Sequence, residues 1–355
     1  MRPRWPQVDV IKGFAIIAVV LLHALPRDIL ISSWAVLHIW QAVPVFFIGM
    51  GFVQGLSVQQ AFELPDPPRG IRYSREYVAK AFNRYLVPLV PVYAISLLGI
   101  WVASRLHPSF EMYLGPLNLL GKLPSEGPGN YFISILLQTI VVLPILSYAM
   151  SRRPGGVLLA CFALDLAFEL SAPHWVNNRE TRYLYSSAIF RYLFAIGLGY
   201  WIALVPFKAQ RNVICGAIGS LAYLVYSQVT GFQFPFFSGI WGTQNLFSAF
   251  YPAALVLLGL IFLPKKCDSP PLRLVESLGR ASYQIFLVQL LWYRFFVYAY
   301  LDRLAGNALE RHYPFSLMAY VVVSATCCLA IGYGWYRLEP RKLVEGALRN
   351  QAPAR

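Results

Sequence analysis

Charge is what this sequence has least of. Asp, Glu, Lys and Arg make up 13% of its 355 residues, against about a quarter in an ordinary soluble domain. With 57% of residues hydrophobic and a mean hydropathy of +0.53, that shortage excludes a soluble enzyme. Acidic residues are the scarcer sign, 16 against 30 Lys and Arg, a net charge of +14. A basic excess in a many-span chain collects in cytoplasmic loops, so nucleic acid is not an expected partner. Cysteine is sparse as well. Cys161, Cys215, Cys267, Cys327 and Cys328 form no CxxC pair and lie mostly in apolar runs, which excludes a zinc ribbon and a disulfide framework, and no metal is expected.

What the sequence has is long apolar runs. A bilayer core of about 30 Å needs about 20 helical residues, and runs of that order fall near 8–26, 34–56, 84–104, 130–150, 155–172, 183–204, 212–230, 247–263, 282–301 and 314–336. Residues 212–264 hold no Asp, Glu, Lys or Arg; they are too many for one helix, so the Gly/Phe/Pro segment 231–245 is expected to turn the chain and to act as a lid. The expected fold is an all-α polytopic membrane bundle of about ten helices. It forms one domain over 1–355, with a core at about 8–340 and a short basic tail at 341–355.

Ten spans place 21 of the 30 basic residues, including Lys12, Lys80, Arg84, Arg152, Arg153, Lys265, Lys266 and Arg280, on the side of both termini. The positive-inside rule makes that side cytoplasmic. Asp9 and Lys12 interrupt the first apolar run, so it reads as an uncleaved span rather than a signal peptide.

The first span carries the densest chemistry. Asp9, Lys12 and His23 share one helical stripe, because the step from Lys12 to His23 is about three turns plus 20°. Helix rise separates the two by about 16 Å, which puts the cation near the cytoplasmic face and the imidazole past mid-membrane. Ionisable residues at such depth face a cavity or a partner. The plain alternative is an i,i+3 ion pair snorkelling to the interface, with His23 bonded to a neighbouring helix.

Asp9, Lys12, Gly13 and His23 together resemble the opening helix of the membrane-bound acyltransferase-3 family. Further elements follow in the family's order. Residues Val43 to Phe52, VPVFFIGMGF, resemble its "VPLFFxxSGF" helix, and Arg84-Tyr85-Leu86-Val87-Pro88 its "RLxxP" entry. Tyr131-Phe132 with Pro144 resembles the fourth helix, LGRASYQIFL from Leu278 to Leu287 the "LGxxSYxIYL" ninth, and Leu338-Glu339-Pro340 the closing "EKP". The likeness runs from residue 9 to 340.

That resemblance implies an O-acyltransferase moving an acetyl or other small acyl group from cytoplasmic acyl-CoA to a hydroxyl of a cell-envelope carbohydrate, such as a lipid-linked glycan. The implied setting is the lipid bilayer of a bacterial cytoplasmic (inner) membrane. His23 is expected as the base, with Asp9 and Lys12 beside it in the catalytic set, and Arg84 and Lys80 as contacts for the donor's phosphates. Lys80 also fits a surface ladder with Glu76 and Arg84. Several positions depart from the family pattern. Lys12 replaces the commoner Arg and loses its planar fork. Ala81 stands where a paired arginine is usual, Gln289 where many members have a second His, and Leu136 where one branch has Glu.

Asp165 and Glu169, one turn apart in the fifth span, are within reach of Arg191, and a buried salt bridge is the simplest account of them. Arg294 is expected to snorkel. Tyr131 and Tyr283 fit an interfacial belt or a platform for a sugar. A transporter or flippase of a glycan is the rival class, but such proteins carry Gly/Pro-broken helices at matching places in two halves, and no such pairing stands out here.

Overall fold

The computed structural model describes residues 5–62, 73–106, 110–232, 244–296 and 302–339. The basic positions Arg2, Arg4, Arg69, Arg72, Arg341, Lys342, Arg349 and Arg355, together with Pro340 and most of segment 231–245, lie outside them. Among the described residues there are helices and turns but no strands, the arrangement expected where lipid offers the backbone no hydrogen bonds.

In chain order the helices are α1 (Pro6–Ala24), α2 (Arg27–Ser32), α3 (Ala42–Phe62), α4 (Arg75–Ala81), α5 (Val87–Leu106), α6 (Tyr131–Arg152) and α7 (Pro154–Trp175). After them come α8 (Arg179–Ser187), α9 (Leu193–Leu204), α10 (Phe207–Thr230), α11 (Phe250–Phe262), α12 (Pro270–Arg280), α13 (Ser282–Trp292) and α14 (Asp302–Leu338). Eight helical stretches in the described residues are long and apolar enough to cross a membrane: Pro6–Ala24, Ala35–Ala61, Arg75–Leu106, Tyr131–Arg152, Pro154–Trp175, Arg179–Leu204, Gln210–Thr230 and Leu317–Leu338. Each matches one of the ten expected runs. The other two runs are not among these eight. Leu246–Phe262 falls below the spanning length, and the helical part of 282–301 is described only as far as residue 296.

Helices α1, α3 and α9 form the middle of the bundle. Of the most apolar window in each span, 61% is buried in Pro6–Ala24 and 72% in Arg179–Leu204, against 22% in Pro154–Trp175 and 28% in Gln210–Thr230. The outer helices therefore show Leu159, Ile218 and Val229 outward, apolar surface that only lipid would solvate without penalty. At the centre α3 and α9 touch backbone to backbone, Gly51 resting on the carbonyl of Ile196 and Gly199 on that of Ile48. Such close approach suits helix association in lipid, where packing replaces the hydrophobic drive.

Both described chain ends lie at one end of the bundle. Asp9, in the first turn of α1, faces Arg280 at the end of α12. Glu339, just beyond α14, accepts a hydrogen bond from Gln284 in the first turn of α13.

Candidate active site

The carboxylate of Asp9 is buried between two cations. Lys12 Nζ is 2.7 Å from Oδ1 and Arg280 Nε is 3.8 Å from Oδ2; Arg280 also pairs with Glu276, one turn back on α12. The crossing of α1 and α12 makes this possible. Gly279 lies directly on the backbone carbonyl of Asp9 and Gly13 on that of Val275, so a methyl group at either position would overlap an oxygen. Asp9 thus fixes the Lys12 ammonium at the mouth of a cavity rather than acting at its depth.

Arg84 reaches the same mouth from a different element. Pro88 has no N–H for the carbonyl of Arg84 four residues earlier, and the helix widens there into a π turn over Phe82–Leu86, a form frequent at functional sites. Tyr283 donates to the Tyr85 carbonyl at 2.8 Å, with the two rings edge to face at 5.7 Å. This contact ties α13 to the turn that presents Arg84. Lys80 stands elsewhere. It pairs with Glu76, both side chains three-quarters exposed, and it is not among the cavity's lining residues.

The cavity has a volume of about 490 Å³, within the range of small-molecule sites. Asp9, Lys12 and Arg84 line one end. Ile16, Phe46, Phe132 and Phe286 line its middle, and His23 and Gly129 the other end. Phe132 packs on Phe46 and Phe286 with ring centres 6.2 and 5.1 Å away. The three catalytic candidates thus share one cavity but fall into two groups, Asp9 with Lys12 at the mouth and His23 at the depth.

The His23 ring lies 6.0 Å from that of Tyr293, whose hydroxyl donates to the Val20 carbonyl at 3.0 Å. Among the described residues no side chain hydrogen-bonds the imidazole, so packing rather than a carboxylate orients it. Gln289 is its neighbour across Gly129. A β-carbon added to Gly129 would be 3.5 Å from His23 Nε2 and 3.7 Å from Gln289 Nε2. Gly129 is at φ +83°, a conformation that favours glycine. Gln289 is fully buried, donates to the Pro128 carbonyl at 3.3 Å, and its Oε1 has no hydrogen-bond partner among the described residues. A base with an open face at the end of a cation-mouthed cavity can relieve a hydroxyl of its proton while an anionic ligand is held at the mouth.

An acyltransferase-3 family model, described as an acyltransferase domain, matches residues 5–333 of the 355. The chain belongs to the acyltransferase-3 family. No curated protein and no solved structure matches it.

The remaining intramembrane charges of this acyltransferase lie outside the cavity lining. Arg191 Nε is 3.1 Å from Glu169 Oε1 with both side chains 1% exposed. Tyr185 donates to the second Glu169 oxygen at 2.5 Å, and Arg191 Nη2 to the Gln244 carbonyl at 3.2 Å. This is the buried bridge the sequence suggested, and it joins α7 to the 3-10 turn Ile189–Tyr192 just before α9. Asp165, one turn away, is equally buried. Tyr131 and Tyr283 both line the cavity. Sequence reasoning did not find Arg280 as a partner of Asp9 or Tyr85 as the partner of Tyr283, because nothing local in the sequence marks either contact. Gln289 was marked only as a departure, and its place beside His23 is new.

Proposed function

We propose that this acyltransferase moves an acetyl or similarly small acyl group from cytoplasmic acyl-CoA to a hydroxyl of a cell-envelope carbohydrate, from the cytoplasmic membrane of a bacterium. The observation that carries the reading is the single cavity with cations at one end and His23 at the other. The donor's phosphates would lie against Lys12 and Arg84 at the mouth, by charge-assisted hydrogen bonds. Its acyl arm would run between Ile16 and the Phe46, Phe132 and Phe286 rings. The residues present fit such a donor, since a polar head meets fixed charge and an uncharged arm meets apolar walls. Lys80 stays outside this path. The basic excess at the end bearing both described chain ends supports a cytoplasmic mouth.

In the transfer, His23 accepts the proton of the acceptor hydroxyl as its oxygen bonds to the thioester carbonyl. When the carbon–sulfur bond breaks, His23 gives that proton to the leaving sulfur, so a free thiol and an ester are formed. The apolar walls keep water from competing for the acyl group. The test is incubation of the purified protein in lipid with acetyl-CoA labelled in the acetyl group and with envelope glycans. Label in the glycan, matched by released thiol, supports the reading; thiol release into water alone, or none, refutes it.

A further inference from the structure

A second cavity, of about 240 Å³, adjoins the first at the His23 end and shares Gly129 and Tyr131 with it. Its other walls come from the segment before α6 and from α8. Asn130 lines it and is 4% exposed, yet neither end of its side-chain amide has a hydrogen-bond partner among the described residues. A buried amide with both its donor and its acceptor idle is costly unless a ligand or water satisfies it. Three cations line the same space against one carboxylate: Lys122, Arg179 and Arg182 against Glu126.

Those charges are not equally committed. The Lys122 side chain is 2% exposed, 2.5 Å from Glu126 Oε1 and 3.4 Å from the centre of the Tyr113 ring. Arg179 also pairs with Glu126, and more distantly with Glu111 at 3.6 Å. Glu180, outside the lining, accepts from the Tyr113 hydroxyl at 3.2 Å. Arg182, exposed at the cavity's edge, forms no ion pair among the described residues. The one lining carboxylate is therefore shared by two cations, and the third has none.

We propose that this second cavity is the acceptor's subsite, and that the acceptor carries an anionic group, a carboxylate or a phosphate, beside the hydroxyl it presents to His23. This rests on the acyl-transfer reading above and adds the substrate's charge class to it. The anion would sit against Arg182, the lining cation that no carboxylate among the described residues holds, while Glu126 and Glu111 keep Lys122 and Arg179 in place beside it. Asn130 would take a sugar hydroxyl with its two idle groups, as polyol recognition asks of a side chain that both donates and accepts. Gly129, with no side chain, leaves only backbone between the bound sugar and the imidazole.

Three sugars that differ only at carbon 6 separate the possibilities: galactose, galacturonate and galactose 6-phosphate, with the matching glucose series alongside. Their binding is measured by saturation-transfer NMR on the purified full-length protein in lipid nanodiscs, with coenzyme A binding and thermal unfolding followed in the same samples. In at least one series a charged sugar should bind about tenfold more tightly than the neutral one, the effect of one charge-assisted contact, and the preference should shrink as ionic strength rises. Carboxylate and phosphate arms show which anion fits. Arg182→Glu and Asn130→Asp should remove the preference in protein that still unfolds at the wild-type temperature, and Arg182→Lys should keep it. Equal binding of charged and neutral sugars, no binding of either charged form, or a preference that survives Arg182→Glu overturns the proposal. Loss of coenzyme A binding with the sugar preference intact would instead overturn the donor reading and leave the subsite standing.

Discussion

Replacing Asp9 by Asn removes a charge while keeping nearly the same shape, and the structure sets the size of the result. The carboxylate is 9% exposed, the Lys12 side chain 25% and that of Arg280 33%. Loss of one partner from a fully buried pair costs about 3–5 kcal/mol, and from a solvent-exposed pair about 0–1 kcal/mol. This partly shielded triad falls between them, at about 1–3 kcal/mol. Without the carboxylate, Lys12 and Arg280 repel each other and the ammonium leaves the cavity mouth. Asp9→Asn should therefore lower the unfolding temperature and raise the KM for acyl-CoA together. The assay is a double-mutant cycle with Lys12→Ala, read in thermal unfolding and in donor titration on purified protein in lipid. The two changes should couple by about 0.5–3 kcal/mol, and Lys12→Arg should retain most activity because the cation stays. Additive effects, within about 0.5 kcal/mol, would show that Lys12 reaches the interface unaided and would refute the clamp.

Arg84→Ala should raise the KM for acyl-CoA with little change in kcat, because a phosphate contact is made alike before and during the reaction; an unchanged donor KM in folded protein counts against the assignment. Glu169→Gln leaves Arg191 buried without its counter-charge and should lower stability by about 3–5 kcal/mol, seen as a fall in unfolding temperature; an unshifted temperature would mean the bridge does not hold α7 to the turn before α9. Gly279→Ala places a methyl group on the Asp9 carbonyl, so α1 and α12 must separate, with a loss of about 1–3 kcal/mol; wild-type unfolding and wild-type donor KM would disprove the tight crossing.

The helices were legible in the sequence because lipid imposes one rule on every span, a run of about 20 apolar residues, and eight runs obey it in the structure. The run at 247–263 was less so. Its helical stretch, Leu246–Phe262, covers almost the same residues but stays below the spanning length. The helix stripe of Asp9, Lys12 and His23 was legible too, since it follows from 3.6 residues per turn. What joins the stripe to other helices was not. Arg280 meets Asp9 only because two glycines let α1 and α12 cross, and Gln289 meets His23 only because Gly129 leaves a gap between them. Lys80 and Arg84 look alike as basic residues one turn apart, yet the π turn before Pro88 carries Arg84 to the cavity and leaves Lys80 outside, paired with Glu76.

The central claim is that His23 takes the acceptor's proton, and the most direct measurement is acyl transfer by His23→Ala in the labelled acetyl-CoA assay, with coenzyme A binding and unfolding temperature recorded on the same preparation. A positioned general base contributes about 10²- to 10⁴-fold in rate. The account predicts a fall of that size in kcat, with coenzyme A binding and unfolding near those of the wild type. Transfer at the wild-type rate by folded His23→Ala protein would contradict it.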